Sequence, residues 1–157
     1  AVRAGVAVGT IYIYFAGKRE LLLAFVDRLA AEQPQPVDRA TVPGSREGFE
    51  RFVMHELKFL RQNRLFAAPV LTEAVFDDEL SAIVKRQLTR PGRSRMREAL
   101  AACGAEDPAA AALPAWNMVM FNAVFAPAIG QELSAAKLAS AIWALAGGFP
   151  AEIRARR

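Results

Sequence analysis

The chain has 157 residues, of which 54% are hydrophobic by the broad count and 23% are charged, enough for one compact unit with a real core. Lys and Arg number 20 against 16 Asp and Glu, a formal net charge of +4 that permits an anionic partner without demanding one. A single cysteine, Cys103, excludes an intramolecular disulfide framework and a Cys-rich zinc site, and the lone His55 leaves a histidine metal cluster or a Ser-His-Asp triad very hard to supply.

Taken in chain order, the first informative stretch is residues 4–22, Ala-Gly-Val-Ala-Val-Gly-Thr-Ile-Tyr-Ile-Tyr-Phe-Ala-Gly-Lys-Arg-Glu-Leu-Leu. Gly5 ends one helix and a second, very short one begins three residues later, the spacing of a helix-turn-helix corner. Ile11 and Phe15, four apart, anchor the short helix to a core, which turns Val8, Gly9, Tyr12 and Ile13 outward. Gly9 permits close backbone approach, while a hydroxyl and an aromatic edge, as Thr10, Tyr12 and Tyr14 offer, suit phosphate and thymine-methyl contacts in a major groove. Lys18 falls at the start of the next helix, where free amides and a cation share a phosphate.

The remainder predicts helices throughout, with no alternating strand pattern and no Asn-Gly or Asp-Gly hairpin signal. Lys18 to Glu32 carries Leu21, Leu22, Phe25, Val26 and Leu29 on one broad face. The prolines from Pro34 to Pro43 mark a tight joint, after which Ser45 caps a helix striped by Phe49, Phe52, Val53, Leu57 and Leu60. Leu65 to Phe76 is short and apolar. Asp77, Asp78 and Glu79 place acid at the first turn of the next helix, where the macrodipole favours it. That helix is expected to break at Pro91-Gly92 and resume to Ala102, Pro108 to open another, and Ser134 to cap a last one running toward Ile153.

The 24 residues between Asp107 and Glu132 carry no charge, and Leu138 to Ala151 is a second uncharged run. The first is long enough to span a bilayer, but Pro108, Pro114, Pro127, Asn117 and Asn122 interrupt it, so a helix buried on both sides in a soluble protein is favoured over a membrane hairpin. Its two faces, and the two faces of the last helix, predict a symmetric four-helix dimer interface using Phe121, Phe125, Leu138, Ala141, Ile142 and Leu145. For a ligand pocket the candidates are Phe52, His55, Glu56, Phe59, Trp116, Asn117 and Met120. Glu56 lies within an apolar stripe, and an ion pair with an arginine of the Lys85–Arg97 run is at least as good an expectation as ligand contact. The basic run itself (Lys85, Arg86, Arg90, Arg93, Arg95, Arg97) contains no interleaved aromatic and is expected to be a solvated helix face.

The string formed by Ala1, Ala4, Gly5, Val6, Gly9, Thr10, Ile11, Tyr12, Tyr14, Phe15, Lys18, Leu21 and Leu22 resembles the DNA-binding segment of the tetracycline-repressor-like (TetR) family of bacterial transcription regulators. The stretch Leu138–Phe149 is similar to that family's last helix. Ala7 departs from the pattern, which has Ser or Thr there, and forgoes an N-cap worth about 1 kcal/mol. The resemblance also implies that the family's first helix and most of its second precede Ala1, in a longer natural protein.

The resemblance implies an all-α fold in which residues 1–32 hold a partial helix-turn-helix unit with its connecting helix, and residues 45–157 form a helical-bundle ligand-binding and dimerisation domain. It implies DNA contact by Val8, Gly9, Thr10, Tyr12, Tyr14 and Lys18, a homodimer on a palindromic operator of double-stranded DNA, and release by a small apolar ligand, with repression the expected sense. No metal, cofactor or catalytic group is expected, nor a membrane partner, and no secretory signal is visible, so the expected setting is cytoplasmic. A helical small-molecule-binding protein or enzyme without DNA binding is the alternative.

Overall fold

The computed structural model describes residues 15–34 and 45–147, and all the regular structure among them is helical, without a strand. The elements are α1 (Lys18–Ala31), α2 (Arg46–Gln62), α3 (Arg64–Glu73), α4 (Asp78–Val84), a π-helical turn (Lys85–Thr89), α5 (Arg90–Ala102), α6 (Pro108–Val124), the single turn α7 (Ala126–Ile129) and α8 (Ala135–Leu145).

Four helix starts carry a side-chain cap, of which Ser45 and Ser134 were expected from the sequence. Ser45 Oγ accepts from the Gly48 N–H at 3.1 Å, and Asp77 Oδ1 from that of Leu80 at 2.9 Å. Asp107 Oδ1 accepts from the Ala110 N–H at 2.9 Å, and Ser134 Oγ from that of Lys137 at 3.3 Å. The α5 terminus is a Schellman closure, with Gly104 at φ 76°, its N–H donating to Ala101 O and that of Ala105 to Leu100 O.

The main core lies between α2, α5, α6 and α8. Ala111, Ala112, Ala115 and Ala123 of α6 are buried there, and their small side chains let neighbouring backbones approach closely. Phe49 meets Trp143 of α8 edge to face with ring centres 5.3 Å apart. A second, smaller cluster joins Leu22 and Val26 of α1 to Val70, Leu80 and Val84 of α3 and α4. Phe25 packs on Phe66 at 4.9 Å, and the Arg28 guanidinium covers the same Phe66 ring.

One expectation is corrected. The helix does not stop at Pro91-Gly92; the irregularity lies earlier, in the π turn, where the Arg90 N–H reaches back five residues to Lys85 O. Pro91 has no N–H for the carbonyl of Gln87, four residues back. The Gln33 side-chain amide donates to that carbonyl instead, so a residue beyond the end of α1 satisfies the helix defect. α5 then continues through Gly92, which is buried against the Trp116 ring.

The charge-free segment also differs from its expected form. α6 covers 17 residues with one buried side and one exposed side. Asn122, deep in that helix, donates to Leu133 O at 3.1 Å and accepts from the Leu133 N–H at 2.7 Å. It thereby ties down the segment entering α8, whereas Asn117, a candidate for the ligand pocket, is exposed and does not line the cavity. No described helix is long and apolar enough to cross a membrane.

Candidate nucleic-acid interface and ligand cavity

Of the six residues expected at DNA, Val8, Gly9, Thr10, Tyr12 and Tyr14 lie outside the described residues. Lys18 is the first residue of α1, and its exposed ammonium pairs with Glu73 at the end of α3. Beside it the Arg19 guanidinium bridges Asp77, at 3.3 Å, and Glu79. The N-terminal turn of α1 is thus held by three ion pairs to the α3–α4 corner. Each pair is exposed and individually weak, but together they fix the direction from which α1 leaves the body. Hydrogen bonding to Asp77, then the charge of Glu79, raises the Arg19 pKa, while the Leu80 N–H, followed by Arg19, holds the Asp77 carboxyl below its usual value. Glu20 adds a local closure by accepting from the Ala16 N–H.

The far end of α1 covers a small apolar cavity of about 30 Å³, lined among others by Leu29, Phe59, Leu60, Leu71, Leu88, Trp116 and Met120. Its polar rim is Gln33, Thr89 and Arg95. Arg95 is buried and bidentate on Glu56, with Nε to Oε1 at 2.8 Å and Nη2 to Oε2 at 3.0 Å. Its remaining terminal nitrogen donates to Gln33 Oε1 at 2.9 Å, and its guanidinium stands 5.9 Å from the Trp116 ring centre. Trp116 Nε1 is buried without a hydrogen-bond acceptor among the described residues. One polar chain therefore runs from Glu56 through Arg95 to Gln33 and on to the π turn.

The ligand candidates separate cleanly on this geometry. Phe59, Trp116 and Met120 line the cavity. Phe52 is buried in the main core, and Glu56 forms the ion pair anticipated as its alternative role. His55 is exposed and borders a separate surface groove with Lys58 and Gln62. Neither Gln33 nor Arg95 had been singled out for the pocket. Gln33 sits among linker prolines and Arg95 within a run of cations, so local pattern gave neither a ligand signal.

The dimer candidates divide as well. Phe121 and Phe125 are exposed on α6 and stacked with centres 6.3 Å apart, and Leu145 is half exposed on α8. Ala141 is of intermediate burial, whereas Leu138 and Ile142 are buried inside the chain's own core. Among the described residues, no group of three or more His, Cys, Asp or Glu side chains is placed to hold a metal ion.

Residues 1–25 match the family model of bacterial regulatory proteins, tetR family. The amino-terminal segment is similar to that of TetR-family regulators. The match ends inside α1, so the helix that begins in the TetR-type segment continues as the wall of the cavity. The match covers the amino-terminal end of the chain alone, and the described body behind it is all helical. No curated protein and no solved structure matches it.

Proposed function

We propose that the chain works as a homodimeric, ligand-released repressor. The observation that carries this reading is the course of α1: its first turn belongs to the TetR-type segment and its last turn lies against the cavity. Val8, Gly9, Thr10, Tyr12 and Tyr14 meet the duplex, with Thr10, Tyr14 and Lys18 on phosphates and Val8, Gly9 and Tyr12 nearest base edges. Lys18 must leave Glu73 to do so, which links operator binding to the ion pairs at the α3–α4 corner.

The cavity as it stands is far below the roughly 300–1,000 Å³ of ordinary ligand sites, so the ligand binds a more open arrangement. Its chemistry is an apolar body with one acceptor, for which Trp116 Nε1 and Thr89 supply donors. Opening displaces Leu29 and Gln33, and therefore the end of α1, which changes the separation of the two reading heads in a dimer. Half-sites one turn apart, about 34 Å, no longer match them. The exposed Phe121, Phe125 and Leu145 form the dimer face, supported by the exposed apolar area they offer together.

The test is a gel-shift assay of the full-length protein against its own promoter region at two salt concentrations. Salt-dependent binding, lost in Tyr12→Ala with the oligomer retained, is the expected result. Failure to shift any such DNA removes the proposal and leaves a helical small-molecule-binding protein.

A further inference from the structure

In the basic run of the π turn and α5, Arg86, Arg90, Arg93 and Arg97 are exposed, as expected of a solvated face, and they are gathered on one side. At 100° per residue, Arg90, Arg93 and Arg97 of α5 fall within an arc of about 60°, along roughly 10 Å of helix, and Arg86 precedes them in the π turn. Arg95 points the opposite way, into the body. The four exposed arginines border one open groove of about 580 Å³ whose other wall includes Ala109 and Ala112 of α6. No acidic residue lines it. Glu98, the one acid in α5, accepts from Ser94 Oγ and borders a different groove, beside Pro34 and Gln87. Arg86, Arg90 and Arg93 have no carboxylate partner among the described residues, and Arg97 reaches only Ser94 Oγ, at 3.5 Å.

Like charges three or four apart on a helix destabilise it, and the usual relief is an interleaved acid. No interleaved acid supplies that relief along the face formed by Arg90, Arg93 and Arg97, whereas Lys18, Arg19 and Arg28 each meet a carboxylate. Four planar guanidiniums facing one concave wall are suited to oxygen-rich anions that accept paired N–H bonds, phosphate above all. A wall of alanines leaves room for the anion, and no aromatic is present to stack a nucleic-acid base.

We propose that this groove binds a di- or triphosphate group, at a site separate from both the DNA-reading segment and the apolar cavity. The free polyphosphate and the phosphate tail of a nucleotide share this chemistry.

The experiment is calorimetric titration of the full chain with inorganic tripolyphosphate, with ATP and with a short polyglutamate peptide, at low and moderate salt. Saturable binding of one tripolyphosphate per chain, weakened at least tenfold in Arg90→Gln/Arg93→Gln and unchanged in Arg51→Gln, is expected. Arg51 is an exposed arginine outside the groove, so that variant controls for the loss of a surface arginine as such. Tighter binding of ATP than of tripolyphosphate assigns the source as a nucleotide, and equal binding assigns it as the phosphate chain. Absence of saturable binding, equal loss in Arg51→Gln, or polyglutamate binding as tight as tripolyphosphate overturns the proposal. A matched far-ultraviolet circular dichroism spectrum and melting curve keeps the paired variant interpretable.

Discussion

Removing one member of the Glu56–Arg95 pair gives the sharpest test of how the cavity is built. Both side chains are almost wholly buried, at 1% and 6% side-chain exposure. In Glu56→Leu, the Arg95 guanidinium loses both carboxylate contacts and keeps only Gln33 and the face of Trp116. An uncompensated buried charge of this kind costs about 3–5 kcal/mol. At roughly 2–4 °C per kcal/mol for a chain of this size, the midpoint falls by about 6–20 °C. Arg95→Met strands the Glu56 carboxylate and has a similar cost. The double variant Glu56→Leu/Arg95→Met removes both charges and fills the space with apolar groups, so it recovers most of the loss and stands within about 1–2 kcal/mol of the parent. Chemical denaturation of all four proteins at one protein concentration closes the cycle. Additive losses in the double variant, or single-variant losses below about 1 kcal/mol, refute the claim that the pair is a coupled, desolvated unit.

Three further predictions use other parts of the fold. Gly92→Ala places a Cβ 2.2 Å from Trp116 Cζ2, so the ring must shift; thermal melts are expected to show a loss of about 1–3 kcal/mol together with altered tryptophan fluorescence. Burial pushes the Cys103 thiol up from 9.0 to about 11, which keeps it protonated and slow toward a disulfide reagent until the chain unfolds; because the folded form holds its proton more tightly, the stability this contributes is complete below pH 9 and disappears as pH rises through 11. Asp77→Ala removes the α4 cap and one anchor of Arg19; since the Leu80 N–H, then Arg19, holds the native carboxyl below 3.8, the stability gap to the parent is present above that pH and closes as pH falls through the lowered native value, as acid titration of the two proteins will show.

The caps at Ser45 and Ser134 were legible because a side-chain acceptor three residues from an orphan N–H is a local fact, and the caps at Asp77 and Asp107 carry the same local signal although they were not expected as caps. The amphipathic stripes of α1 and α2 were legible for the same reason: helical periodicity lies in the chain itself. So was the TetR-type segment, whose residue types follow one another within a short span. That Glu56 needed a cation could also be stated in advance, since an acid inside an apolar stripe is too costly to leave alone.

What local pattern could not decide was direction. Arg95 and Arg93 are two residues apart in one basic run, yet one is buried on Glu56 and the other borders an open groove, because the neighbours that cover a helix come from elsewhere in the chain. Leu138 and Ile142 looked as fit for a partner subunit as Phe121 and Phe125 did, until the packing of α2 and α6 against α8 enclosed the first two and left the second two bare. The Gln87 carbonyl, which Pro91 leaves without a backbone donor, is met by Gln33, more than fifty positions away. Helix formation and capping are settled by atoms a few bonds apart, so one chain read in order contains them. Which face is covered, and which polar group finds a partner, depends on surfaces that meet only once the chain has folded.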